Sequence, residues 1–186
     1  MAGIVVREAV GADAARIARV HVESSRAAHA GLLPEETLAA FDFGRRLETW
    51  GRTLAGGLAF VYVAEVEGRL VGFASGGAER AGDADFDGEL YTLYVLPGEQ
   101  RRGAGRLLTL ALAGRLAAEG FGAMLLWVLE GNAPARRFYE SLGGAAVRRR
   151  EDERGGRTLA EVGYGWADLE GLCERIRAGL RRPTAE

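Results

Sequence analysis

A chain of 186 residues is the size of one domain with a single substantial core. Hydrophobic residues at 48% and charged residues at 27% are the ordinary balance of a globular protein, and a net charge of -2 argues against a nucleic-acid binder, which needs a basic excess. One cysteine, Cys173, excludes an internal disulfide and a cysteine-cluster metal site, and two histidines, His21 and His29, are too few for a histidine-rich centre, so no metal is expected. The opening run MAGIVVREAV meets charge after six residues, which fits neither a signal peptide nor a membrane span. A cytoplasmic protein with no membrane or nucleic-acid partner is the default expectation. All 24 Lys+Arg residues are arginine, which removes a Schiff-base lysine, a lysine-bound pyridoxal group and a Walker-type phosphate loop. With 28 glycines and many alanines, this suggests a GC-rich coding bias, so arginine and glycine pairs carry less weight here.

In chain order, Ile4 to Glu8 reads as a strand, and Asp13 as the N-cap of a helix running to about Ala28. Leu32-Leu33-Pro34 breaks that helix, and Pro34 starts a second helical region towards Leu54. Ala59 to Val66 and Arg69 to Ser75 form a hairpin about Glu67-Gly68. A polar loop with Asp83, Asp85 and Asp87 leads to a strand over Leu90–Leu96, which Pro97-Gly98 ends. Gly103 to about Ala118 is helical, with Gly120 as its stop. Met124–Leu129 is an apolar run suited to a strand buried on both faces. A short helix over Ala133–Ser141 closes at Gly143-Gly144, and Ala146–Arg150 pairs with Thr158–Val162 across a turn at Arg154-Gly155-Gly156. Asp168 caps a last helix whose apolar stripe is Leu169, Leu172, Cys173, Ile176 and Leu180. Antiparallel strands first, then strand-helix-strand-helix, then a closing hairpin, describe an α+β mixed sheet with helices on its faces.

The chemistry sits in LYVLPGEQRRGAGRLL, Leu93 through Leu108. A strand ends, the chain turns, and Gln100-Arg101-Arg102-Gly103-Ala104-Gly105 opens a helix. Glycines there let the backbone approach a ligand, and a helix N-terminus adds partial positive charge, so the unit favours a pyrophosphate. Arg101 and Arg102 can add charge for a further phosphate. The plain alternative is a glycine-rich helix start with solvated arginines. A second segment, Glu130-Gly131-Asn132-Ala133-Pro134-Ala135-Arg136-Arg137-Phe138-Tyr139-Glu140, places Asn132 at a strand-helix junction and Tyr139 two turns on.

Together these segments resemble the GNAT superfamily of N-acetyltransferases, over Glu89 to Gly144; REAVGADAARIARVHVESS and GLLPEE are compatible with that family's acceptor-side helices. The resemblance implies a three-layer α/β/α fold on a mixed, mostly antiparallel sheet of about seven strands, whose fourth and fifth strands splay apart beside a bulge in the fourth. It implies acetyl-CoA as co-substrate, acting without metal, and an amine of a small molecule or peptide as acceptor. The pantetheine arm would pair with strand backbone at Leu93, Tyr94 and Val95. Gln100, Arg101, Arg102, Gly103, Ala104, Gly105 and Arg106 would surround the pyrophosphate, and Asn132, Ala135, Arg136 and Tyr139 would close the cofactor side.

By the same resemblance Tyr139 is the general acid: a phenol with pKa near ~10 stays protonated at neutral pH and can protonate a leaving thiolate. The bland reading is a core tyrosine beside Phe138. The Val95 N–H would stabilise the oxyanion. Glu89 is the candidate base, with an exposed strand-end carboxylate as its rival reading; Glu130 and His29 are further candidates, and His21 is a packed or surface residue. The three aspartates could steer a cationic amine, but read more simply as a solvated loop.

Two rivals stand against this. A dinucleotide-binding fold would use the same GxG and an acid like Glu130, but Leu108 replaces the third glycine and hairpin-linked strands precede the motif. A non-catalytic acyl-CoA-binding module would need a disabled site, and Asn132 and Tyr139 are both in place. The domain is expected over residues 1–167, with 168–186 as a helical extension packed on the same domain or on a partner in a homodimer.

Overall fold

In a computed structural model, residues 3–154 and 156–181 are described. Gly155, within the expected turn, lies outside the described residues. Strand β1 (Ile4–Glu8) leads into α1 (Ala14–His29), then α2 (Glu35–Ala39) and α3 (Phe43–Gly56). Strands β2 (Phe60–Val66), β3 (Arg69–Ala78) and β4 (Gly88–Val95) follow, then α4 (Ala104–Ala118), β5 (Met124–Leu129) and α5 (Ala133–Ser141). Strands β6 (Ala145–Arg154) and β7 (Arg157–Trp166) and helix α6 (Leu169–Arg181) complete the order.

The seven strands form one sheet in the order β1-β2-β3-β4-β5-β7-β6. Every neighbouring pair is antiparallel except β4 with β5. The β2–β3 turn is tight because Glu67 and Gly68 both take positive φ, 51° and 75°. One sheet face carries the largest core, where Leu108, Leu112 and Leu116 of α4 meet Leu126, Val128, Val162 and Leu172. The other face packs Ile17 and Val20 of α1 and Trp50 of α3 onto Val63 and Phe73. Leu125 and Phe86 form a smaller cluster at the edge of that second face. Helix α6 belongs to the main core: Leu169, Leu172, Cys173 and Ile176 are buried within this chain.

Three expectations change. The region from Pro34 to Leu54 is two helices, because Asp42 leaves helical geometry and its Oδ1 accepts the Arg45 N–H at 3.0 Å, starting α3 afresh. Asp13 stands before α1, yet its side chain does not cap that helix. Its carboxylate instead accepts the Val10 N–H at 2.9 Å and a two-pronged contact from Arg7 at 2.7 and 2.9 Å, an ion pair that engages both of its oxygens. The closing hairpin is longer than the alternating pattern indicated, since β6 and β7 each run ten residues.

Candidate active site

The site begins where the sheet comes apart. β4 and β5 pair only at Gly88↔Met124 and Glu89↔Leu125. Beyond Glu89, β5 stays with β7 as far as Leu129↔Glu161, while β4 follows β3. A bulge helps the divergence: Ser75 faces Thr92 and Gly76 faces Leu90, which leaves Tyr91 as the extra residue on β4. Gly76 makes this fit, since a Cβ there would lie 2.5 Å from the Glu89 carbonyl oxygen and 2.8 Å from Leu112. At the far end, the Leu96 N–H donates to Val71 O at 2.8 Å across to β3. Strand alternation therefore turns the N–H and C=O of Val95, and of Leu93, towards the gap. The Val95 carbonyl meets the Gln100 side chain there at 3.2 Å.

The chain leaves β4 through a short 3₁₀ turn, Pro97–Glu99, and enters α4 with two left-handed residues, Arg101 at φ 59° and Gly103 at φ 101°. The Leu107 N–H reaches back to the Gly103 carbonyl at 3.1 Å, so Ala104, Gly105 and Arg106 hold the N–H groups that a helix start leaves without helical acceptors. Gly105 lets α5 come close: a Cβ there would sit 3.2 Å from the Phe138 ring. The arginines differ. Arg102 donates to Glu99 at 2.6 Å, and Glu99 also binds Arg69. Arg106 reaches Ser141 Oγ at 3.4 Å, and Arg101 is exposed at the mouth.

Across the gap, Asn132 caps α5 by accepting the Ala135 N–H on Oδ1 at 3.2 Å, which leaves its Nδ2 as the donor to offer. Arg136 donates to Tyr164 Oη and to the Glu130 carbonyl, each at 3.1 Å, tying α5 to β7 and to its own junction. Tyr139 is buried among rings, with Phe138 at 5.3 Å, Tyr164 at 6.1 Å and Trp166 at 6.3 Å between centroids. Burial pushes its phenol well above the ordinary tyrosine pKa, and the nearby Tyr94 adds to the shift. Tyr94 comes from β4, so these two phenols are electrostatic neighbours across the opening.

The candidate bases are all engaged. Both oxygens of the buried Glu89 are held by Arg80, at 2.9 and 2.6 Å. Glu130 pairs with Arg149. His29 is buried, with Nδ1 2.8 Å from the Ser25 carbonyl and its ring stacked on Phe41. His21 packs among Trp50, Phe73 and Tyr94, and desolvation, aided by Arg46 and His29, lowers its pKa from 6.5 to about 3. The aspartate loop is internally committed: Asp83 and Asp85 bind Arg148, and Asp87 accepts the Gly122 and Ala123 N–H groups.

Sequence reasoning missed two arginine-glutamate pairs near the gap, Arg80–Glu89 and Arg150–Glu161. The second was within reach, because the closing hairpin sets Arg150 opposite Glu161. Among the described residues no cluster of three or more His, Cys, Asp or Glu side chains could hold a metal, and no helix is long and apolar enough to cross a membrane.

Residues 22–144, which span the splay, the helix mouth and α5, match the model of the Acetyltransferase (GNAT) family. The chain belongs to the GNAT family. It is an acyltransferase by that membership. Over 171 residues it is 39% identical to the uncharacterized N-acetyltransferase YuaI of Bacillus subtilis, covering 91% of this chain and 96% of the relative. Among solved structures it superposes on a GCN5-related N-acetyltransferase from Rhodopseudomonas palustris with a TM-score of 0.70 and 25% identity, over 89% of this chain and 96% of that one. YncA from Salmonella typhimurium, solved with its cofactor acetyl-CoA, gives a TM-score of 0.64 and 26% identity, over 90% and 94% of the two chains. The GNAT fold read from the sequence is thus the fold of this chain, with all seven strands in place.

Proposed function

We propose that this GNAT protein transfers an acetyl group from acetyl-CoA to a primary amine, by direct attack of the amine on the thioester while both substrates are bound. The observation that carries the reading is the split between β4 and β5 lying directly above the left-handed entry to α4. A strand edge with N–H and C=O groups turned into a gap suits the amide-bearing pantetheine arm, which pairs as an added strand would. Leu93 and Val95 supply those groups, with Tyr94 between them. The N–H groups from Arg101 to Arg106 belong to the entry and first turn of α4, where the helix dipole favours a diphosphate, and the exposed Arg101 would add charge. Gln100 and Arg102 serve the loop itself, one holding the end of β4 and the other bound to Glu99.

In the reaction, the amine nitrogen forms a bond to the thioester carbonyl carbon. The Val95 N–H steadies the developing oxyanion. The carbon-sulfur bond then breaks, and the leaving sulfur takes the proton of Tyr139 Oη. A phenol held above its usual pKa is fully protonated at pH 7, so the proton is present on Oη when the sulfur departs. The surplus amine proton leaves to solvent. Glu89 enters as the partner that orients Arg80, because a base role would require one of its oxygens to be released from that guanidinium. Asn132 Nδ2 and Ala135 close the cofactor side, and Arg136 fixes the helix that carries Tyr139.

Calorimetric titration with coenzyme A, alongside thiol release from acetyl-CoA in the presence of amines, tests the reading. Binding without acetyl-dependent thiol release under any amine would reduce the protein to a binding module, and absence of binding would remove the proposal.

A further inference from the structure

The Val95 carbonyl, the last one that β4 turns into its gap with β5, is already in use. Leu96, next along the chain, sends its N–H across to Val71 O on β3 at 2.8 Å, so Val95 O points the opposite way. Its partner there is the side chain of Gln100, whose Nε2 donates at 3.2 Å. A side-chain amide thus fills the strand-edge acceptor that a backbone amide of an added strand would use.

This bond is weakly held compared with the rest of the loop. The Glu99 N–H donates to Leu96 O at 2.8 Å, and the Glu99 carboxylate takes Arg102 at 2.6 Å on one oxygen and Arg69 of β3 on the other. Those charged contacts fix the path of the chain and would be costly to break. Gln100 is exposed, and its single contact is neutral and at the long end of the hydrogen-bond range. Its backbone is extended, at φ -67° and ψ 161°, between the 3₁₀ turn and α4, so its side chain can turn while the backbone stays in place. The left-handed residues Arg101 and Gly103 and the opening of α4 at Ala104 follow directly.

We infer that Gln100 selects the thioester by its diphosphate: its amide covers Val95 O in the free protein and turns to a diphosphate oxygen at the α4 mouth when a pantetheine amide takes that carbonyl. The inference rests on the reading above, in which Val95 pairs with the arm and α4 receives the diphosphate. Any pantetheine thioester must displace the Gln100 bond to reach Val95 O. With coenzyme A, the released NH2 group finds a charged oxygen, and a hydrogen bond to a charged acceptor is stronger than the neutral one given up. With bare pantetheine, the released group finds only water, so the displaced bond is a net loss. Gln100 therefore sets a threshold against thioesters that lack the diphosphate.

The test compares coenzyme A with pantetheine, which has the same amides and thiol but no diphosphate. Coenzyme A is titrated by calorimetry, and pantetheine by the NMR shift of the Val95 amide, which reads weak binding. The full chain is used as parent, Gln100→Leu and Gln100→Glu; neither replacement can donate to a carbonyl at pH 7. Both variants are expected to bind pantetheine about threefold more tightly than the parent, the scale of one neutral hydrogen bond removed from the competing state. Coenzyme A gains the same factor but loses about tenfold with the charge-assisted bond, so Gln100→Leu binds it about threefold more weakly. Gln100→Glu binds it more weakly still, because like charges meet at the mouth. Unchanged pantetheine affinity would mean that Val95 O serves both donors at once, and overturns the inference. So does coenzyme A affinity that rises together with that of pantetheine, since Gln100 would then never turn to the diphosphate. A parent protein that binds coenzyme A while both variants match it removes this inference alone, whereas a parent that fails to bind removes the acetyl-CoA reading with it.

Discussion

The indole Nε1 of Trp50 donates to Nδ1 of His21 at 3.1 Å, which makes His21 a neutral acceptor with its proton on Nε2. The ring is also enclosed by Phe73 and Tyr94, so charging it costs both desolvation and the indole bond. Its folded pKa of about 3 lies below the unfolded 6.5. Between those values the unfolded chain binds the extra proton, so stability is complete above pH 6.5 and falls as pH drops. The slope is about 1.4 kcal/mol per pH unit, or about 2 kcal/mol lost by pH 5. Asp13, held low by Arg7, does not contribute in that window. Urea midpoints at pH 7 and pH 5 check this. His21→Gln, which keeps an acceptor for Trp50, is expected to lose far less than the parent protein, and equal losses would refute the assignment.

Gly103, the residue before α4, and Gly114, within it, should respond with opposite signs. Gly103 has open space around its Cβ direction, yet its φ of 101° is one that alanine adopts only with strain. Gly103→Ala is expected to cost about 1 to 2 kcal/mol and to weaken coenzyme A binding, since the N–H groups beyond it lose their aim. Gly114, in the helix interior, also has nothing within 4 Å. Gly114→Ala should stabilise by about 0.5 to 1 kcal/mol through helix propensity and leave cofactor affinity unchanged. Thermal melts with coenzyme A calorimetry separate the two effects, and equal affinity in both variants would show that the helix mouth holds no phosphate.

What the sequence made legible was whatever is encoded locally. The apolar run MLLWVL marks β5 from Met124 to Leu129, and Glu67-Gly68 marks the turn it forms. Asn132 and Asp168 both stand where helices begin, each accepting a backbone N–H. What escaped depends on residues distant in the chain. The Tyr91 bulge is a matter of register with β3, and no residue type at that position demands it. Arg80 and Glu89 meet across a loop, and Arg150 with Trp127 across three strands, in a chain where arginine is too common to stand out. Asp13 resembled a helix cap because nothing local showed that Arg7 would claim it. The candidate site divides the same way: its backbone half was readable from glycine spacing, and its acceptor half was not.

Removing one oxygen separates chemistry from packing at Tyr139. Tyr139→Phe keeps the ring contacts with Phe138, Tyr164 and Trp166. If the phenol protonates the departing sulfur, kcat falls by about 10²-fold or more while the KM for acetyl-CoA stays within a few fold. Thermal stability should hold or rise slightly, because a desolvated hydroxyl is removed from a site at 8% exposure. Steady-state kinetics beside a melt decide it; a variant with parental kcat would leave Tyr139 as a core residue only.

Helix α6 offers a check on where the working unit ends. Its apolar stripe needs cover, and the sequence alone left open whether its own sheet or a second subunit supplies it. Leu169, Leu172, Cys173 and Ile176 are buried against the same cluster as Leu108, Leu112 and Leu116 of α4, all from one chain. We therefore expect helix α6 to behave as part of the core and not as a separable extension; residues 182–186 lie outside the described residues. Leu172, fully buried, sits between the two helices' contributions, so Leu172→Ala should cost about 3 kcal/mol and lower Tm by roughly 6 to 12 °C. An intramolecular contact carries no concentration term, whereas one supplied by a partner makes Tm depend on protein concentration through mass action. Melts of the parent and the variant across a hundredfold dilution therefore decide the question. A constant difference places α6 within its own domain, and a difference that shrinks on dilution would assign the helix to a subunit interface.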